Sequence, residues 1–248
     1  PLSENLMAKL VGEPVRDVPF YGLMESKING ADVVISQTGF SGEKGYEIYV
    51  RRAHENAEIV WNGVLAAGEE FGLQVVAPAH HRRIAAGILS WGQDLDFETS
   101  PFQVNLSYQV PRNKSADYIG KAELERQRAI IDGGDFPFKM RMVGLIFGGK
   151  NITDYAPDFW LIADTNGEDM GYITSPWWSP ELKTNIALGW VPFASSEVGT
   201  KLKVRLPDEY SESPGVAVQG EIVDLPFRES VNPNIREVVK SRGLDYAD

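Results

Sequence analysis

The 248-residue sequence predicts an α+β fold, with ferredoxin-like α/β portions over residues 1–135 and an antiparallel β-barrel over residues 136–230. Three observations predict it. Helix-period segments alternate with strand-like runs in the first part of the chain. Helical periodicity then gives way to six short β-rich runs broken by Gly, Pro and Asp, at the spacing of a barrel or sandwich. The composition, 43% hydrophobic and 24% charged, is that of an ordinary globular chain, long enough for one large domain or two modest ones.

Leu2, Leu6 and Leu10 mark a helix over residues 3–11, capped by Ser3 and carrying Glu4 where the helix dipole favours an acid; Gly12-Glu13-Pro14 stops it. Runs at 25–28 and 33–36 flank Asn29-Gly30, which supplies the positive φ of a type I′ turn and so predicts a hairpin. Residues 39–45 read as a loop. The β-rich run 46–50 puts Glu47 and Tyr49 on one face and Ile48 and Val50 on the other, because strand side chains alternate. A helix follows over 55–71, with Ala57, Val60, Trp61, Val64 and Leu65 as its apolar stripe, and another over 78–88. After a polar, turn-rich stretch at 92–101, a charged surface helix begins near Lys121 and ends near Gly133-Gly134. The barrel runs are 142–147, 159–163, 170–174, 185–191, 201–206 and 216–223, and residues 231–248 read as a charged tail.

Composition narrows the function. Against 35 Asp and Glu there are 24 Lys and Arg, a net charge of −11 that repels phosphate backbones and anionic lipid, so nucleic acid is not an expected partner. No segment approaches the roughly 20 apolar residues needed to span a bilayer. No cysteine is present, and three histidines, two of them adjacent as His80-His81, offer few ligands, so no metal is expected. The start lacks the basic and apolar regions of a signal peptide, and the expected compartment is the cytoplasm. Neither GxGxxG, a P-loop, HExxH nor GxSxG occurs.

Three segments carry a resemblance. Thr38-Gly39-Phe40-Ser41-Gly42-Glu43-Lys44-Gly45-Tyr46-Glu47-Ile48 is similar to the G-[YF]-[TS]-G-E-x-G-[YF]-E-I segment of the folate-dependent aminomethyltransferase, or glycine-cleavage T-protein, family. Arg83, Gly87, Gly92 and Asp94, then Thr99-Ser100-Pro101, resemble its L-R-x-E-[AG]-G-x-x-x-x-G-x-D and T-P pattern. Gly171-Tyr172-Ile173-Thr174-Ser175, Ser179-Pro180, Asn185-Ile186-Ala187-Leu188-Gly189-Trp190-Val191 and Pro226-Phe227 resemble its C-terminal barrel. The resemblance takes in residues 1–227, starts about midway along a typical member and leans toward the dimethylsulfoniopropionate demethylase branch. It implies tetrahydrofolate as cofactor and one-carbon transfer as activity. It also implies that the family's catalytic Asp belongs to a front part outside this sequence, so no catalytic residue is assigned here.

The resemblance makes Glu47 the first folate-binding candidate, since a carboxylate accepts two parallel N–H bonds from the pterin amide and amino edge. Tyr49 shares its face and would wall the pocket. Tyr108 matches an aromatic that contacts folate. Arg83 would pair with an acid or with the folate glutamate tail, and Arg141 lies one residue before the position where the T-protein has an Arg, occupied here by Met142. Ala79-His80 stands where the T-protein has Arg-Asp, and an Arg lost at a bidentate contact is not replaced by Ala or Met. Both departures favour a small methyl donor over a lipoyl-bound aminomethyl group. Trp177-Trp178, read as exposed rings on a barrel loop, would suit a cationic methyl by cation–π attraction. Three readings stay open: a demethylase of a sulfonium donor, a glycine-cleavage aminomethyltransferase with a lipoyl carrier protein as partner, and a non-catalytic folate-binding fragment.

Overall fold

In the computed structural model, which describes residues 2–227 except 78, 111 and 113, two compact units meet in sequence at Ala79 and His80. The tail expected over 231–248 lies outside the described residues.

The first unit runs α1 (Ser3–Val11), β1 (Leu23–Ile28), β2 (Ala31–Ser36), β3 (Glu47–Val50) and α2 (Ala53–Gly68). The strands form an antiparallel meander in the order β1-β2-β3. Its first turn is the expected one: Asn29 and Gly30 both have left-handed φ, 50° and 85°. Ala31, Val33 and Ile35 of β2 are buried and pack with Met7, Ala8, Val15, Ile28 and Val60, so one sheet face is covered by the two helices. The alternate residues Glu25, Lys27, Asp32, Glu47 and Tyr49 are exposed on the other face.

Two local expectations are corrected. Ser3 does not cap α1; Leu2 precedes the helix without a side-chain cap, and the Ser3 hydroxyl instead donates to the Lys44 carbonyl at 2.7 Å. Of the stripe expected on α2, Val60 is buried and Val64 packs against the core, but Trp61 is 53% exposed, and Gly63 is buried beside Val60. A Cβ at Gly63 would come within 3.1 Å of Ile28 Cγ2, so glycine is what lets α2 close on the β1–β2 hairpin.

The second unit contains α3 (His80–Ala85), α4 (Lys121–Asp132) and six strands: β4 (Met140–Phe147), β5 (Trp160–Ala163), β6 (Asp169–Ser179), β7 (Thr184–Pro192), β8 (Lys201–Val204) and β9 (Val218–Val223). They close an antiparallel barrel in the order β4-β7-β6-β5-β8-β9. Val143, Leu145, Ile162, Ile173, Ala187, Leu202 and Ile222 fill its interior. The other face of β7, through Ile186, Leu188 and Trp190, packs with Ile84, Ala85 and Val104 of the preceding segment. Burial on both faces explains why β7 reads as one unbroken apolar run.

α3 is shorter than the expected 78–88. Gly87 takes φ +68°, its N–H donates to Ile84 and that of Ile88 to Arg83, a glycine-terminated helix end. β6 is longer than expected and carries Trp177 and Trp178 within the strand, paired with Ile186 and Asn185. They are half-buried strand residues rather than exposed loop rings.

Candidate functional site

Glu47 opens β3 opposite Ser36. The alternation of β2 continues past its last residue, with Gln37 buried and Thr38 half-buried, so Ser36, Thr38 and Glu47 share the open face. There the carboxylate is pinned on one side: the Thr38 hydroxyl and, at 3.0 Å, the Tyr49 hydroxyl both donate to Oε2. Oε1 accepts no hydrogen bond among the described residues. The bond to the Glu47 carboxylate is the main cause that lifts the Tyr49 phenol above its usual 10. Glu47 and Tyr49 thus stand together as strand alternation predicts, and Thr38 joins them.

The remaining candidates belong to the second unit. Arg83 is 1% exposed and is used internally. Its Nη1 is 2.8 Å from Asp94 Oδ2, its Nη2 donates to Ser175 Oγ at 2.8 Å, and it also reaches Gln93 Oε1, the Ile88 carbonyl and His80 Nδ1. The acid it pairs with in the structure is Asp94. Asp94 in turn accepts the hydroxyls of Thr174 (2.6 Å) and Ser175 (2.5 Å) and the Ser90 N–H (2.8 Å), so every charge in the cluster is answered. Tyr108 sits half-buried in a single 3-10 turn, Ser107–Gln109. Arg141, half-buried at the start of β4, donates to Asn105 Oδ1 at 3.1 Å, while Asn105 Nδ2 donates to the Met142 carbonyl. Met142 itself is 1% exposed and packs with Ile84, Ile186 and Leu188.

A shallow hollow, with room for about one water, also opens in this unit, lined by His80, Arg83, Gln93, Tyr155, Trp177 and others. His80 stacks on Trp177, centroids 5.4 Å apart, and meets Tyr155 edge-on at 4.9 Å. Burial first, and then the Arg83 cation, push the His80 pKa down. The Tyr155 hydroxyl donates to Gln93 Oε1 at 2.7 Å. Among the described residues no group of three or more His, Asp or Glu could hold a metal, and no helix is long and apolar enough to cross a membrane.

Sequence reasoning gave no role to Thr38, the first residue of the quoted run, nor to Asp94, Thr174 and Ser175. The signal for the latter was present, since Asp94 and Thr174-Ser175 are motif positions whose short side chains suit a buried acid and its donors. Only the fold brings them within hydrogen-bond reach.

Two family models match the chain: the GCVT N-terminal domain over residues 1–114 and the glycine cleavage T-protein C-terminal barrel domain over residues 141–227. Dimethylsulfoniopropionate demethylase from Ruegeria pomeroyi is 32% identical over 84% of this chain and 54% of that protein. An aminomethyltransferase from a Geobacillus species is 30% identical over 92% of this chain and 58% of that protein. The crystal structure of the glycine cleavage system aminomethyltransferase T from Bartonella henselae shares the fold, with TM-score 0.66 and 23% identity over 93% of this chain and 58% of that one. The chain belongs to the glycine-cleavage T-protein family. It spans a little over half the length of these relatives.

Proposed function

We propose that this chain forms the folate-binding part of a tetrahydrofolate-dependent methyltransferase acting on a small sulfonium such as dimethylsulfoniopropionate, with Glu47 gripping the pterin. The observation that carries this reading is the Glu47 carboxylate, presented on an open sheet face within the glycine motif, with one oxygen held and the other available. The acceptors fit the ligand: of the two parallel N–H groups on a pterin amide and amino edge, one would take Oε1 and the other Oε2 as the Tyr49 hydroxyl gives way. In this reading the folate-binding region is residues 1–135 and the barrel domain 136–230.

When bound, tetrahydrofolate would supply N5 as the acceptor of the one-carbon unit. Glu47 would fix the orientation of the ring system through charge-assisted hydrogen bonds and Tyr49 would flank it; Tyr108 and Arg141 remain folate-binding candidates on the resemblance alone. A sulfonium methyl is already activated, so orientation and exclusion of water are what the protein must contribute.

A sulfonium donor is preferred to an aminomethyl group on a lipoyl carrier for a stated reason. Where the T-protein has Arg-Asp and a further Arg, this chain has Ala79-His80 and, within an apolar cluster, Met142, so neither arginine position offers a cation. The second reading draws on the aminomethyltransferases at nearly the same identity. Incubation of the full-length protein with tetrahydrofolate and dimethylsulfoniopropionate should yield 5-methyltetrahydrofolate. Turnover of aminomethyl-lipoyl carrier instead, with no product from the sulfonium, would reverse the preference.

A further inference from the structure

We propose that Thr38 is a positioning residue for Glu47; the inference rests on the folate-binding reading above and adds to it the residue that aims the carboxylate. An exposed glutamate at a strand end has several rotamers of similar energy, and a ligand that needs one of them must bear the entropy of selecting it. Here that selection is made beforehand. Thr38 is β-branched and stiff about χ1, and the continuing alternation of β2 fixes it on the same face as Glu47. Its hydroxyl has a single proton, and the carboxylate is the stronger of the two acceptors within reach, Glu47 Oε2 and Ser36 Oγ at 3.2 Å. The Ser36 hydroxyl donates its own proton to the Gly22 carbonyl at 3.2 Å, so it does not compete with Thr38 as a donor to Glu47.

The lone-pair count gives the consequence. A carboxylate offers about four acceptor sites, two on each oxygen. Thr38 and Tyr49 take both sites on Oε2, and Oε1 keeps both of its own. Thr38 is half-buried whereas Tyr49 is 56% exposed, so Thr38 supplies the fixed bond and Tyr49 the one that yields when a ligand needs Oε2 as well.

The test is a double-mutant cycle read by calorimetric titration with tetrahydrofolate, with melting temperature recorded for each protein. Thr38→Val should weaken binding about tenfold by removing a hydrogen bond to a charged group, and Thr38→Ser, which restores the hydroxyl, should bind like the parent protein. In a Glu47→Ala background, Thr38→Val should change nothing further. Full affinity in Thr38→Val overturns the proposal. Equal losses in the Val and Ser variants, or a loss that adds to that of Glu47→Ala, also overturn it, since they mark a role that does not pass through the carboxylate. Failure of the folate-binding reading is recognised separately, because the unaltered protein itself would then not bind tetrahydrofolate, and the proposal falls with it.

Discussion

At the scale of single residues, the chain treats its charges in two opposite ways. Glu47 is left at the surface with an oxygen to spare, while Arg83 and Asp94 are sealed from water, their side chains 1% and 0% exposed. A buried pair of this kind gains little over an apolar pair of equal volume, yet removing one member strands the other. Asp94→Ala should therefore cost roughly 3–5 kcal/mol in a urea unfolding experiment. A loss below about 1 kcal/mol, the range of an exposed pair, would show that water reaches Arg83. The two acids differ in how far the sequence discloses them. Glu47 and Tyr49 are legible because strand alternation is local and a short motif marks the strand. The partner of Arg83 is not legible, because it is chosen by a loop and by a barrel strand about 90 positions away, as the bond to Ser175 shows.

At the scale of elements, local signals predicted what local forces decide. The Asn29-Gly30 hairpin needs only two positive φ values, and the sequence supplies both residues. The length of β6 was not predictable in the same way. Its run through Trp177-Trp178 is set by pairing with β7, and a Pro176 inside the run reads as a break. Helix α2 shows a similar limit, since its buried face follows from a close approach at Gly63 rather than from the largest apolar side chain. The β6–β7 pairing has an equally tight point: a Cβ at Gly171 would lie 2.1 Å from the Trp190 carbonyl oxygen, which is backbone and cannot swing aside. Gly171→Ala should lower stability by about 1–3 kcal/mol or more, seen as a reduced urea midpoint with an unchanged slope. A midpoint equal to that of the parent protein would mean that the strands can separate there without loss.

At the scale of the whole molecule, pH joins the site cluster to stability. His80 faces Arg83 of its own helix, Asp94 of the following loop, Tyr155 and the Trp177 ring of β6. Its folded pKa lies below the ordinary 6.5, by burial and then by Arg83, so over the interval between the two values the unfolded chain binds more protons than the folded one. Stability is complete above the ordinary histidine range and declines as pH falls through it. Melting temperature should drop between pH 7.5 and pH 5.5, and His80→Gln, which keeps an acceptor but cannot titrate, should flatten that drop. An identical drop in the variant would move the titration to other groups. The net charge of −11 acts at the same scale, repelling polyanions such as nucleic-acid backbones.

What binds all three scales is the surface carboxylate on β3. Its direct test is the affinity for tetrahydrofolate of Glu47→Ala beside the unaltered protein, at equal melting temperature and fixed salt. The account predicts measurable binding by the unaltered protein and at least about a tenfold loss in the variant, as expected for a charge-assisted hydrogen-bonded contact. Equal affinity of the two proteins would contradict it.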